Sequence, residues 1–321
     1  MSASLSSGRN YSVSRQEKIS FYLMVAPWLI GFLVFQVYIF GSGLIAGFTN
    51  LGSPFTHFVG LKNYIRILTQ DQFFWVAVVS TLQYAVLTTL LSAVIGLGVA
   101  VLLNQKIKGL SIYRTIFYLP VVVPVVSATL TWAFIYDRDF GLLNAGLRLM
   151  GIRPITWLMD PNLIWSLIIM SVWSTVGATM IVLLAGLQGV PTELLESSAI
   201  DGAGPFRRFI NVTLPLITPA LFFNIVTGLI GSMQMFSQAE LIHRGGSSAG
   251  AIGAINVFQK GNFVLMRDLT NAAFTETRIG YACALSWILF IAITLISVIV
   301  FATSKYWVYY ESIAGEGGER K

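Results

Sequence analysis

The chain has 321 residues, of which 55% are hydrophobic and 11% charged, and its formal net charge is +6. Soluble domains carry about 25% charged residues, and no soluble fold could cover so much apolar surface. That excludes a soluble enzyme, a disordered chain and a nucleic-acid binder. It leaves a multi-span membrane protein whose excess of Lys and Arg fits loops on the cytoplasmic side.

A membrane span needs about 20 mostly apolar residues. Residues 1–18 form a polar tail with Arg9, Arg15 and Lys18. The apolar stretch 19–42 is too long for a cleaved signal. It predicts an uncleaved anchor whose N-terminus stays in the cytoplasm. The next span is predicted at 75–103. Within it Thr88, Ser92, Gly96 and Ala100 recur every four residues, a small-residue face suited to close helix packing. Lys106, Lys108 and Arg114 follow without an acid among them, which marks the cytoplasmic side.

The third span, 116–136, contains Pro120 and Pro124. Each removes a backbone donor and crowds the preceding turn. The span is therefore expected to be kinked or discontinuous, with either a cavity beside it or simple bending. Further spans are predicted at 163–190, 216–239 and 281–304. None of the six holds Asp, Glu, Lys, Arg or His. The expected architecture is an all-α membrane protein of six transmembrane helices. Residues 75–304 form its core and 305–321 a tail. An even number of spans returns the C-terminus to the cytoplasm. The longer loops, at about 49–74, 137–162 and 241–280, then lie outside. They carry turn signals such as Gly245-Gly246-Ser247, and either meet an external partner or only connect helices. Cys283 is the single cysteine, and His57 and His243 stand far apart, so nothing supplies a metal site.

Residues 191–215, between the fourth and fifth spans, predict two short helices on the cytoplasmic side. Thr192 is the expected N-cap, with Glu193 in the first turn. Leu194, Leu195, Ala199 and Ile200 supply an apolar side. Gly202 suits a helix end that needs positive φ, and Pro205 suits the first position of a second helix. Phe206, Phe209 and Ile210 are expected on that helix's apolar face, with Arg207 and Arg208 on its polar one. Such an element at a membrane surface is suited to docking a soluble partner.

This stretch resembles the EAA loop of binding-protein-dependent ABC importer permeases, roughly E-A-A-x-x-D-G-A, then Phe, then L-P. Glu196, Ser197 and Ser198 occupy the E-A-A positions. Asp201, Gly202 and Ala203 supply D-G-A, Phe206 the aromatic, and Leu214-Pro215 the L-P. The resemblance covers nearly the whole chain, and is to the carbohydrate-importer branch, in a first-permease-like subunit. Residues 58–64, 114–120, 140–144, 184–188, 273–274 and 280–285 are similar to that branch as well. Residues 241–270 depart from it: Ile242-His-Arg-Gly-Gly-Ser-Ser248 stands where the family has T-x-G-G-P.

The resemblance implies a type I ABC importer permease fold in a bacterial or archaeal plasma membrane. It implies a second permease subunit, two cytoplasmic ABC ATPases that hold ATP and Mg, and an extracytoplasmic solute-binding protein. Each permease would insert its EAA helix into a groove on an ATPase. The chain itself is expected to bind no cofactor and to be no enzyme. No lysine follows a glycine, so the phosphate-cradling core of a Walker A loop is absent. The spans also lack the carboxylates that ion-driven carriers use.

Candidates for the cargo path are Trp132, Trp173, Asn224, Gln234 and Gln238. Each has a packing alternative: an interfacial belt for Trp132, simple packing for Trp173, interhelical hydrogen bonds for Asn224 and Gln234. Helical spacing puts Phe236 on a different face from Gln234, so the two are not expected to share a path. The predicted cargo is a sugar or related polyol. The alternatives are another polar solute, a stand-alone channel or carrier, or a membrane-embedded enzyme.

Overall fold

Small side chains set how the helices meet. A computed structural model of the chain describes residues 15–53, 56–105, 108–159, 161–245 and 265–309. The first helix runs as α1 (Arg15–Phe32) and α2 (Tyr38–Gly47), joined without a break by a π-helical turn at Leu33–Val37. It extends beyond the predicted 19–42 at both ends. After the short α3 (Lys62–Thr69) comes the long α4 (Phe74–Leu103). Next are α5 (Leu110–Val122), α6 (Val125–Ile135), α7 (Leu142–Leu149) and α8 (Leu163–Gln188). The segment expected to dock a partner contains α9 (Thr192–Ile200), α10 (Pro205–Arg208) and α11 (Leu214–Leu216), the last two linked by a π-helical turn at Phe209–Thr213. The remainder is α12 (Thr218–Met233), α13 (Ser237–Gly245), α14 (Leu265–Thr270) and α15 (Ile279–Trp307). Among the described residues five helical stretches are long and apolar enough to cross a membrane, and the bent pair α5–α6 makes up to six.

Helix α4 lies along α8 in the same direction. Tyr84 meets Ser171, Ser92 meets Thr175, and a Cβ on Gly96 would sit 2.7 Å from Thr179 Cγ2. Thr88, Ser92, Gly96 and Ala100 are all buried, so the small-residue face packs as expected. Helix α12 crosses α4 where Gly228 abuts Thr89, and α5 presses on α8 at Gly177. The helix α2 packs antiparallel on α15, with Gly47 against Ala284 and Phe40 edge-on to Trp287. These pairings put the described residues 103–105, 108–110, 188–218 and 307 at one end of the bundle. The described residues 47–53, 56–74, 135–159, 161–163, 233–245 and 265–279 gather at the other. At the first end Tyr309 N donates to Thr218 Oγ1 at 2.8 Å. At the second, Gly280 N donates to Leu51 O at 2.9 Å, and Leu265 N to Thr81 Oγ1 at 3.0 Å.

Two predicted spans are reshaped. The third turns by 96° between α5 and α6. Pro120 stays inside α5, and Pro124 makes the break. The residue before a proline is pushed out of the helical region, and Val123 is extended at φ −69°, ψ 125°. The fifth is interrupted after Met233 and resumes as helix at Ser237, within a candidate span of Thr218–Ile242. The longer segments at 49–74, 137–162 and 241–280 carry α3, α7, the end of α13 and α14. The Gly246-Ser247 turn signal and much of the divergent 241–270 stretch lie outside the described residues.

Candidate functional site

The segment expected to dock a partner is a helical hairpin closed by a Schellman motif. Helix α9 begins at Thr192, so Pro191 takes the capping position and Thr192 is not the N-cap. Proline at the boundary has fixed the chain before threonine could cap it. At the other end Gly202 N donates to Ala199 O at 3.1 Å and Ala203 N to Ser198 O at 3.0 Å. These are the paired reverse bonds of the motif, and its C′ residue needs a left-handed backbone. Gly202 supplies it at φ +77°, with nothing within 4 Å of a would-be Cβ. Gly204 precedes α10, and Pro205 occupies its first turn, where a missing N–H costs nothing. A π-helical turn comes just before Pro215, in a helix a regular interior proline would otherwise break.

The apolar faces of this hairpin differ from the expectation. On α9 only Leu195 packs inward, against the cluster of Val190, Leu187 and Ile217; Leu194, Ala199 and Ile200 are exposed. On α10, Phe206 is 78% exposed while Phe209 and Arg208 are half-buried. Ile200 is 86% exposed. Glu196, Ser197, Asp201 and Gly202 are solvent-facing; Ser198, Ala203 and Pro215 are half-buried. The Ser197 and Ser198 hydroxyls donate back to Leu194 O and Leu195 O, so they satisfy themselves within α9.

A second feature lies between the long helices. A cavity of about 430 Å³ is walled by α4, α8 and α12 and by residues 234–238. Asn224, Gln234 and Gln238 line it. So does Phe236, which corrects the expectation that it could not share a path with Gln234. Helix α12 ends at Met233, so residues 234–236 are not helical and helical spacing does not govern them. The cavity is not beside the broken third span, as one expectation had it.

Trp132 and Trp173 stand elsewhere. Their rings meet edge to face at 5.7 Å, and Trp132 also packs on Tyr136 at 5.1 Å. Tyr136 O–H donates to Ser166 O at 2.9 Å, which ties this aromatic column to α8.

Hydroxyls dominate the cavity wall, and sequence reasoning passed over them as packing groups. Ser92 Oγ lies 2.7 Å from Thr175 Oγ1, and Tyr84 O–H is bonded to Ser171 Oγ. Thr89 is 5% exposed and its Oγ1 has no hydrogen-bond partner. In a membrane interior an unmet polar group is expensive, so this hydroxyl is left to bond whatever fills the cavity, water included.

Comparison with known proteins identifies the family. Residues 92–308 match the model of the family described as binding-protein-dependent transport system inner membrane component. The chain is 36% identical over 303 residues to the probable ABC transporter permease protein YesP of Bacillus subtilis, covering 93% of this chain and 94% of that one. It is 33% identical over 246 residues to the trehalose/maltose transport system permease protein MalF of Thermococcus litoralis, covering 76% and 82%. Among solved structures it resembles a chain of a bacterial ABC transporter for import of the acidic polysaccharide alginate. There the TM-score is 0.77 at 20% identity, with 90% of this chain and 96% of that chain covered.

Proposed function

Because the chain belongs to the family of binding-protein-dependent transport system inner membrane components, we infer that it is one of two permease subunits in an ATP-driven importer of a sugar or related polyol. The second permease completes the translocation path. Two ABC ATPases in the cytoplasm hold ATP and Mg, and this chain binds no cofactor. A solute-binding protein delivers cargo from outside the bacterial or archaeal plasma membrane. The names of the relatives support the cargo class, among them the trehalose/maltose permease.

In this reading the bent α5–α6 pair is one span, so six spans leave both termini in the cytoplasm. The basic residues Lys108 and Arg114 share the bundle end of residues 191–215, in keeping with positive residues staying inside. Residues 191–215 form the coupling element. Glu196, Ser197, Ser198, Asp201, Gly202, Ala203, Phe206 and Pro215 position it or face the ATPase. Asn224, Gln234 and Gln238 stand on the cargo path, with Trp132 and Trp173 supporting its wall.

The observation that carries the coupling role is the rigid turn at Gly202, which leaves Ile200 and Phe206 unburied at a bundle end. Exposed large apolar side chains grouped on a compact element mark an interaction surface. The test is Gly202→Val in the complete importer, measuring ATPase co-purification, cargo-stimulated ATPase activity and uptake. A β-branched residue at positive φ costs about 1 kcal/mol or more, and its bulk would face the partner. Expected is an inserted, assembled permease pair with stimulated ATPase and uptake abolished. Glu196→Lys should give a milder loss. Wild-type ATPase binding and transport in Gly202→Val would remove the docking role.

A further inference from the structure

We propose that the cavity between α4, α8 and α12 selects neutral polyhydroxylated cargo and rejects anionic counterparts of the same size. The proposal rests on reading the chain as half of an import path, and it adds a charge rule to that reading.

The argument begins with what the wall contains. Among the described residues that line the cavity, none is Asp, Glu, Lys, Arg or His. Its polar groups are hydroxyls and amides. The Ser92–Thr175 pair can exchange donor and acceptor roles, and so can Tyr84 and Ser171. Such groups can mirror a ligand hydroxyl, which also donates and accepts. Thr89 Oγ1, buried and unpartnered, is already waiting for a bond of either polarity. Asn224 spends its Nδ2 on Ala220 O at 2.9 Å, leaving its carbonyl oxygen as an acceptor suited to a ligand O–H.

An anion needs something different. A phosphate or carboxylate accepts hydrogen bonds but, when ionised, donates none. Its removal from water is costly unless a cation or several aligned donors compensate. The wall offers no cation, so an anion there would have only neutral donors to compensate it. The second pocket, at the bundle end where residues 66–73 and 268–281 gather, does not gather anions either. There Asp71, Asp268 and Glu276 accompany Arg66 and Arg278. Both guanidiniums lie over the Tyr281 ring, and Arg278 is paired with Glu276.

The test reads occupancy of this cavity directly. In the complete importer, Cys283→Ser removes the native thiol and Ser174→Cys places a reporter on the wall. The rate of labelling by a small maleimide is measured with glycerol, glucose, maltose and arabinobiose. It is measured again with glycerol 3-phosphate, glucuronate and uronic-acid disaccharides. Expected is a three-fold or greater slowing by at least one neutral probe and none by its anionic counterpart. Thr89→Val should weaken that protection about five-fold, and Gln234→Arg should let a uronate protect. Equal protection by anions, or a Gln234→Arg variant that still ignores them, overturns the charge rule. No protection by any probe overturns the cavity as the cargo site. Uptake and cargo-stimulated ATPase are followed in the same preparation. Their persistence in those cases leaves the importer reading standing, and their absence beside neutral protection would fault that reading alone.

Discussion

At Gly177 a single methyl group would reach 2.4 Å from the Phe117 carbonyl oxygen and 3.0 Å from Tyr118 Cα. Both are backbone atoms of α5, so they cannot swing aside as a flexible side chain would. Gly177→Ala should therefore separate α5 from α8 at a cost of about 1–3 kcal/mol, the usual penalty for overpacking. A lowered unfolding midpoint of the purified complex in detergent is the expected result. Gly31→Ala, where nothing lies within 4 Å, should leave the midpoint unchanged. Gly202 is a glycine for another reason, since its surroundings are open and its backbone is left-handed. Asparagine tolerates that conformation better than β-branched residues do. Gly202→Asn should thus retain a substantial part of the cargo-stimulated ATPase activity that Gly202→Val loses. Equal loss in both variants would place the requirement in size at the partner surface rather than in backbone angle.

Short helices between the long ones need polar staples, because they have too little apolar face to hold themselves. Helix α7 is held by Asn144, which is fully buried. Its Nδ2 donates to Asp137 O, Arg138 O and Ile155 O; its Oδ1 accepts from Ile155 N and Trp157 Nε1. Asn144→Ala would strand several of these groups, at about 1–3 kcal/mol for each left buried and unpaired. Trypsin should then cut faster after Arg148, read by fragment mass; unchanged cleavage would show that α7 is held otherwise. The sequence marked residues 140–144 only through a family pattern, since no local rule announces that one asparagine will collect five bonds from distant carbonyls and amides. The long helices were legible because apolar length is a local property. The break in the third was legible as a pair of prolines, but not which one breaks it. Pro120 can sit in α5 once its neighbours absorb the lost bond, whereas Pro124 forces Val123 out of the helix. The cavity was half legible. Amides in apolar runs stood out, while Thr89, Ser171 and Thr175 gained meaning only when three helices brought their hydroxyls together.

The whole bundle alternates its ends, and that alternation can be measured. With Cys283→Ser as background, single cysteines at Ser53, Asp139 and Ser111 should respond differently to an impermeant maleimide on intact cells. Ser53 and Asp139 positions should label, and Ser111 should not. The reverse pattern would invert the topology and place residues 191–215 outside, away from any ATPase. The outer rim also explains why the loops after the first helix and before the last were hard to read. Gly280 packs so closely on Thr49 that a Cβ would come within 2.1 Å of its carbonyl oxygen, a contact between residues far apart in the chain. The same pairing bears on how the protein is made. The helix α1–α2 has no buried residue before Gly47, and it rests on α15. Helix α1–α2 thus leaves the ribosome well before the helix it packs on. Between Gly47 and Ile279 lie 232 steps along the chain (279 minus 47), and at about 5–20 residues per second that is roughly 10–45 s of translation. Throughout that interval α2 must persist in lipid before α15, the long helix it packs on, has been synthesised.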